Sequence, residues 1–495
     1  MGNYKIGGLK DRQKAFNDNW QMIRLTRKQW QYLIVFLSLL ITTSFIAYRQ
    51  SSFKVAPNTE ISSVASRAKT EIVTKETGVL TIWWYEGYVE AEKTFLRKIV
   101  NDWEKTNNKK IKLVFMSEKL LLEELEKAVA SGITPDITID RTQLVTRLAW
   151  SGKLTDVSAI IKPIKNNFPD SVLKNSYQYN NVTNEKSYYA VPIQQEAIYL
   201  HYWRDLLKEL GYSAKDIPQD WDEFWQFWTK VQQKLQSQQQ EVFGLGFSTS
   251  PNSTDTFLFF EQVLEAYNVK ILDSQGRLLV NRPKTREGIT QALTWWTQLY
   301  QQKYIPPSSL LWENADNNSS FYNQIVAMVP NSTLSIPAVR ADEKDVYFNR
   351  IGTVGYPRKP NGEPMNYVIR VRQALVFAER NLEDAKSFLS YLIQPDVLAS
   401  YIEAAGGRFF PVNKANWDDP FWNNPDDPHL STVRKMLTES PTRPHYFSDN
   451  PAYMEVFAEN VWGRALHQIL AEGKSPEEAA DWAIARITQI FRKWQ

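Results

Sequence analysis

The stretch that decides the fold runs from Val79 to Arg141 and opens Val79-Leu80-Thr81-Ile82-Trp83-Trp84-Tyr85-Glu86-Gly87. Val79 to Trp84 reads as a strand that breaks into a polar loop at Tyr85-Glu86-Gly87. Leu96, Ile99, Val100 and Trp103 then recur at the i, i+3, i+4, i+7 spacing of one helical face. A second strand covers Ile111 to Met116. A second helix carries Leu121, Leu125 and Ala128, and Gly132 supplies a left-handed cap. A third strand, Ile137-Thr138-Ile139, ends in Asp140-Arg141. Strands separated by single helices of this length are βαβ units, which predicts an α/β fold with a parallel sheet. Ligands of such sheets sit beyond the carboxyl ends of the strands, where this chain places Tyr85, Glu86, Asp140 and Arg141.

Upstream, Trp30 to Tyr48 holds no charged residue and has Trp30, Tyr32 and Tyr48 at its ends, as aromatic belts require. Its length is close to the ~20 residues that cross a bilayer as a helix. Lys and Arg outnumber Asp before it, so residues 1–29 read as a basic cytoplasmic leader and everything after Tyr48 as exported. The rival reading is a cleaved signal peptide. The long leader and the absence of a small-residue cleavage site around Phe45-Ile46-Ala47-Tyr48 favour an uncleaved anchor over 30–48. Residues 49–77 are polar and lack an apolar face, which predicts a flexible linker spanning roughly 30 Å.

The 495 residues exceed what one hydrophobic core holds, about 250–300. A net charge of +3 with 43% hydrophobic residues describes a folded protein without the basic balance of a nucleic-acid binder. Eighteen Trp imply large cores, stacking on flat ligands such as sugar rings, or both. The lack of cysteine excludes disulfides, thiolate catalysis, Cys-ligated zinc and a lipidated N-terminal Cys. His201, His429, His445 and His467 show no paired spacing, so no metal site and no cofactor are expected. There is no G-x-S-x-G. Gly473-Lys474-Ser475 ends like a phosphate-binding loop, but Gln468 stands where the first glycine belongs.

Further along, Tyr188 to Ile193 and Ala197 to Tyr202 read as strands separated by Gln194-Gln195-Glu196, a polar triplet that suits a crossing between two lobes. Trp221, Phe224, Trp225 and Trp228 share a helical face and read as core, while the Gln-rich run from Gln232 to Gln240 reads as solvated. Tyr367 to Ile369 and Ala374 to Phe377 read as two strands, and Glu455 to Ala471 as one helix. Glu86, Asp140 and Glu196 are placed to converge on one cleft. Two carboxylates about a scissile bond make a glycosidase pair. The same groups can accept hydrogen bonds from sugar hydroxyls, or pair with Arg141, Arg370, Arg408 or Arg464. Binding and pairing rank above catalysis.

The order of certain pieces then resembles a known family. They are Leu80-Thr81-Ile82-Trp83, Thr134-Pro135-Asp136-Ile137, Trp150-Ser151-Gly152-Lys153-Leu154 and Ala190-Val191-Pro192-Ile193 with Glu196. Trp203-Arg204-Asp205-Leu206-Leu207, Ala327-Met328-Val329 to Asn331, Gly406-Gly407-Arg408 to Lys414, and Gly473-Lys474-Ser475-Pro476-Glu477-Glu478-Ala479 follow. From Gly78 to Gln495 the chain resembles the extracytoplasmic solute-binding proteins of ABC importers, in the large sugar-binding group (family 1) that includes maltose-binding protein. The resemblance implies an α/β, two-lobed periplasmic-binding-protein fold with a hinge, here preceded by the transmembrane helix. One lobe is then 78–192 with 371–414, and the other 193–370 with 415–495.

It also implies hydroxyl-binding groups at Asp140, Arg141, Glu196 and Arg464, with Tyr85 and Glu86 in the first loop. Asn331 and Arg408, which lie in the matching segments, complete the polar candidates. Ile137 and Leu334 stand where the maltodextrin receptor has aromatic platforms, so Trp84, Trp312 or Trp462 would have to replace them. The expected protein is a receptor tethered to the cell (inner) membrane by its own helix, with its body in the periplasm or extracytoplasmic space. It binds a small molecule of sugar type, passes it to ABC permease subunits, and is not an enzyme. An anchored glycoside hydrolase using Glu86, Asp140 or Glu196, and a sensory solute-binding subunit, are the alternatives.

Overall fold

A computed structural model of the chain describes residues 78–87, 89–140, 144–377 and 381–494, with Asp140 described in its backbone only. The expected leader, anchor and linker (1–77) and Arg141 lie outside the described residues. Within them, no helix is long and apolar enough to cross a membrane.

The opening stretch forms β1 (Val79–Tyr85), α1 (Glu90–Asn107), β2 (Lys110–Met116), α2 (Glu118–Ser131) and β3 (Ile137–Asp140). β1 pairs in parallel with β2 on one side and β3 on the other. Leu96, Ile99, Val100 and Trp103 are on the buried face of α1, and Leu121, Leu125 and Ala128 on that of α2. Ser117 caps α2 by accepting the Leu120 N–H, and Gly132 closes it at φ 72°.

The chain continues through α3 (Val145–Trp150), α4 (Asp170–Ser176), the hairpin β4 (Tyr177–Asn180) and β5 (Glu185–Tyr188), then β6 (Ala190–Ala197) and β7 (Tyr199–Trp203). Next come α5 (Trp221–Ser237), β8 (Phe243–Leu245), α6 (Thr254–Ala266), α7 (Pro283–Gln301), β9 (Val326–Asn331) and β10 (Ile351–Val354). β11 (Tyr367–Val376) and β12 (Thr442–Pro444) return to the first sheet, whose order is β12-β11-β3-β1-β2 with β6 also on β11. The second sheet is β10-β7-β9-β8. Each sheet with its helices is one lobe of a two-lobed α/β fold.

Several expectations need correction. The first sheet is mixed, because β11 runs antiparallel to both β3 and β6. β11 enters from the second sheet's part of the chain, so no βαβ crossover dictates its direction. Gln194-Gln195-Glu196 does not interrupt a strand: it lies inside β6, and β11 is likewise one unbroken strand. Polar residues on one strand face polar residues on the other, so neither has to break. Pro192 is tolerated in β6 because the ladder shifts register opposite it, between Arg372 and Gln373. The helix expected over Glu455–Ala471 is two, Ala452–Ala458 and Val461–Leu470. Asn460 between them takes φ 46° and accepts the Gly463 N–H on its side chain.

The crossing between lobes is as direct as a chain allows. β6 belongs to the first sheet and β7 to the second, with only Ile198 between them. The aromatic face of α5 is buried as expected. Gln232, read as solvated, is instead buried; it donates to the Lys303 carbonyl and accepts the Gly244 N–H.

The second sheet depends on one close approach. A Cβ on Gly352 in β10 would lie 2.2 Å from Cζ of Tyr202 on β7. Gly352→Ala must push the buried ring off its site, and overpacking of this kind costs about 1–3 kcal/mol. A urea titration should show a lower midpoint with unchanged slope. An unaltered midpoint would mean Tyr202 moves freely.

Candidate functional site

The site grows from the pairing of β6 with β11. Arg370 stands opposite Glu196, and Arg372 opposite Gln194. Residues two apart share a face of a strand, so these four side chains line one face. Arg370 Nη2 lies 2.5 Å from Glu196 Oε1, and both groups are buried. The same Nη2 donates to Ser332 Oγ at 3.1 Å, which brings the loop after β9 to the first sheet. A second link follows there, where Leu334 N–H donates to the Arg408 carbonyl at 3.2 Å.

The end of β1 meets the same face. Gln194 donates to the Tyr85 hydroxyl at 2.9 Å, and that hydroxyl donates to Glu92 Oε2 at 3.2 Å. Gly87 makes this geometry possible. It takes φ 71°, and a Cβ there would meet the Glu92 carboxylate at 2.5 Å. The Arg372 guanidinium lies 4.4 Å from the centre of the Tyr85 ring and 4.5 Å from that of Phe409. Arg408 lies 4.5 Å from the same Phe409 ring. Desolvated cation–π contacts of this sort contribute about 2 kcal/mol each.

Charge is balanced rather than absent. Burial raises the Tyr85 pKa and Glu92 adds to that, against the opposing pull of Arg372 and Arg408, so the phenol stays neutral. Burial works against the charge on Arg372, but the Glu118 and Glu196 carboxylates help outweigh it and hold the guanidinium firmly protonated. Glu118, at the first turn of α2, is the partly exposed member, 3.9 Å from Arg372. Alternating donors and acceptors around the edge-to-face rings of Tyr85 and Phe409 can bind a polar, hydroxylated solute. Glu196 is held by Arg370 in a buried ion pair.

Of the residues singled out in the sequence, Tyr85, Glu196 and Arg408 come together here. Asn331 is close by, buried at the end of β9 and donating to Asn318 Oδ1 at 2.7 Å and Ser335 Oγ at 3.2 Å. The Asp140 backbone pairs with Gln373, next to Arg372 on β11. Glu86 is exposed just past β1, its N–H on the Met116 carbonyl. The others are elsewhere. Trp84 is buried and donates to the Tyr401 hydroxyl at 2.8 Å. Trp312 donates to Ser308 Oγ, Trp462 to the Tyr453 hydroxyl, and Arg464 is exposed on its helix. Sequence reasoning missed Arg372, Gln194 and Phe409 as parts of the site. The legible signal was alternation: Arg370-Val371-Arg372 matches Gln194-Gln195-Glu196 once the two strands are paired.

The family model for bacterial extracellular solute-binding proteins matches residues 98–432. The chain belongs to that family. Among relatives of this solute-binding protein is YcjN of Escherichia coli strain K12, assigned to an ABC transporter as its periplasmic-binding protein. It is 23% identical over 377 residues, 74% of this chain and 79% of YcjN. Among solved structures, an ABC transporter solute-binding protein of Thermotoga lettingae bound with α-D-tagatose is 19% identical. It has a TM-score of 0.68 and covers 84% of this chain and 100% of its own. Maltose-bound MalE3 of T. maritima is 20% identical, with a TM-score of 0.66, 83% of this chain and 100% of its own. These likenesses carry the two-lobed fold to this solute-binding protein.

Proposed function

We propose that this chain is a membrane-tethered extracytoplasmic receptor that captures a sugar-type solute between its lobes and delivers it to an ABC importer. The supporting observation is the convergence of β1, β6, β11 and the loop after β9 on one buried cluster, at the point where the chain crosses between sheets. The hinge is assigned to this crossing at Ile198, past the 192/193 boundary expected from the sequence, because β6 stays in the first sheet as far as Ala197. Hinge closure is the motion such a crossing permits, and a ligand that contacts both lobes favours the closed form by its differential affinity. Asp140 and Arg141 join Tyr85, Glu196 and Arg408 as the groups assigned to the hydroxyls. The relatives above, one bound with tagatose and another with maltose, support the ligand class. Glycoside hydrolysis is disfavoured by the Glu196–Arg370 ion pair. Residues 30–48 serve as the anchor.

A thermal-shift and calorimetric screen of the full chain with neutral mono- and oligosaccharides tests this reading. One of them should stabilise the protein, by about 2.7 kcal/mol at a hundred times its Kd, and be recovered unchanged. Release of reducing ends, or indifference to every sugar, would contradict it.

A further inference from the structure

Away from the cluster around Tyr85 and Arg372, the molecule carries a groove of about 1100 Å³. It is lined by α3, α4 and the β4–β5 hairpin, by the segment joining α6 to α7, and by β12 with the residues after it. Among the described residues, none of the candidate cleft residues lines it. Small-molecule sites run to about 300–1,000 Å³, so the groove accommodates an oligomer rather than a single ring.

Its charges do not cancel. Lys359 and Arg443 are taken up by Glu265, at 3.0 and 2.7 Å, and Asp273 by Arg277. Lys174, Lys186, Lys270 and Arg282 remain, and none of them makes an ion pair among the described residues. Among the described residues, Asp449 is the one other acid lining the groove. It attracts Lys174 and Lys186 without a hydrogen bond to either among the described residues. Beside these cations lie aromatic faces. Trp150 and Tyr179 are half-buried with ring centres 5.4 Å apart, and Tyr177 is 45% exposed and packs 5.0 Å from Tyr188. An exposed tyrosine and a half-buried tryptophan beside cations that make no ion pair among the described residues match a ligand with both flat C–H faces and negative charge.

We propose that this groove is a second ligand site, separate from the cleft, for an acidic oligosaccharide bearing carboxylate or sulfate groups. The aromatic rings take the sugar faces, while Lys174 and Lys186 on one stretch of chain and Lys270 and Arg282 on another hold successive anionic groups. Neutral oligosaccharides lack the charges these cations require, and the site rejects them.

The test uses the full chain and a hexamer of galacturonic acid, with maltohexaose and phosphatidylglycerol vesicles as comparators. The acidic hexamer should bind, more weakly as salt rises from about 50 to about 300 mM. It should lose about tenfold or more in affinity in the Lys174→Gln/Lys186→Gln/Lys270→Gln/Arg282→Gln variant. Trp150→Ala should weaken it several-fold, whereas any neutral sugar held in the cleft should stabilise the variant as it does the parent. Four outcomes would overturn the proposal. They are no binding of the hexamer, equal binding by the variant, equal binding of maltohexaose at this groove, or charge-dependent binding of the vesicles alone. None of these bears on whether a neutral solute binds the cleft.

Discussion

Glu196→Ala should lower the stability of the protein by about 3–5 kcal/mol. The loss of the carboxylate leaves the Arg370 guanidinium, 5% exposed in its side chain, without the partner that lies 2.5 Å away. Burying a charge costs several kcal/mol, and only the attraction of its partner and its remaining hydrogen bonds repay it. Ser332 still accepts one bond from Arg370, but a neutral hydroxyl does not offset the full charge. The penalty also falls on the crossing strands, since Arg370 and Glu196 are cross-strand neighbours on β11 and β6. Replacing both, as Glu196→Leu with Arg370→Met, should recover most of the loss, because an apolar pair of similar volume removes both desolvation costs. Urea unfolding of the three proteins measures this. A single-variant cost below about 1 kcal/mol would show that water reaches the pair in solution.

The second large effect is acid destabilisation between about pH 6.5 and pH 4, caused by histidines. His201 on β7 and His429 before the helix Leu430–Glu439 are both buried, and Thr353 Oγ1 on β10 lies 3.0 and 2.6 Å from their Nδ1 atoms. His429 Nε2 donates to the Tyr347 carbonyl at 2.8 Å, so its Nδ1 accepts from Thr353, whose oxygen accepts in turn from His201 Nδ1–H. His429 is thereby satisfied as a neutral imidazole, whereas His201 Nε2, left without a proton, faces the Thr333 carbonyl at 3.4 Å. Burial, reinforced by His429, pushes His201 down to about 3. Burial likewise pushes His429 down to about 4, with Asp427 opposing and Arg204 assisting.

Both groups are bases whose folded pKa lies below the ordinary 6.5, so the unfolded chain takes up protons that the folded chain refuses. Their contribution is therefore complete above about pH 6.5 and is lost as pH falls toward the folded values. At pH 5 each costs about 2 kcal/mol, since one pKa unit is about 1.4 kcal/mol. His445, lowered by burial, acts in the same direction. Glu261 is also buried, but His445 and Arg443 hold its carboxyl below the usual range, so its loss begins only in stronger acid. The midpoint of thermal unfolding should drop steeply between pH 7 and pH 5, and His201→Asn should flatten that slope. A midpoint that is level over this interval would contradict the buried neutral pair.

The parts legible in the sequence were those set by local periodicity. α1 and α2 bury the faces their spacing marks, and Gly132 ends α2 as its position demands. What escaped was set by pairing at long range. Gln194 and Arg372 each look like an interruption in an apolar strand, and only their opposition across β6 and β11 makes each a partner for the other. Phe409 gave no signal at all, because its role is to stack on a guanidinium 37 residues earlier in the chain. The break at Asn460 was hidden for a different reason. Its flanks keep the apolar repeat of one continuous helix, and the left-handed residue between them changes direction without changing composition. The aromatic residues were read in both ways open to them, and Trp84 and Trp462 turn out to be buried in the two lobes.

The central claim is that two lobes close on a solute and leave it chemically unaltered. The chain contains no cysteine, so two introduced ones are unique sites for spin labels. Leu122 on α2 and Val339 after the loop that follows β9 are both exposed, at 38% and 57%, and flank elements that meet at the cluster. The distance between labels on Leu122→Cys/Val339→Cys should shorten when a sugar that stabilises the protein is added at saturation, with that sugar recovered intact. A distance that stays the same at saturation, or a sugar recovered as shorter fragments, would contradict it.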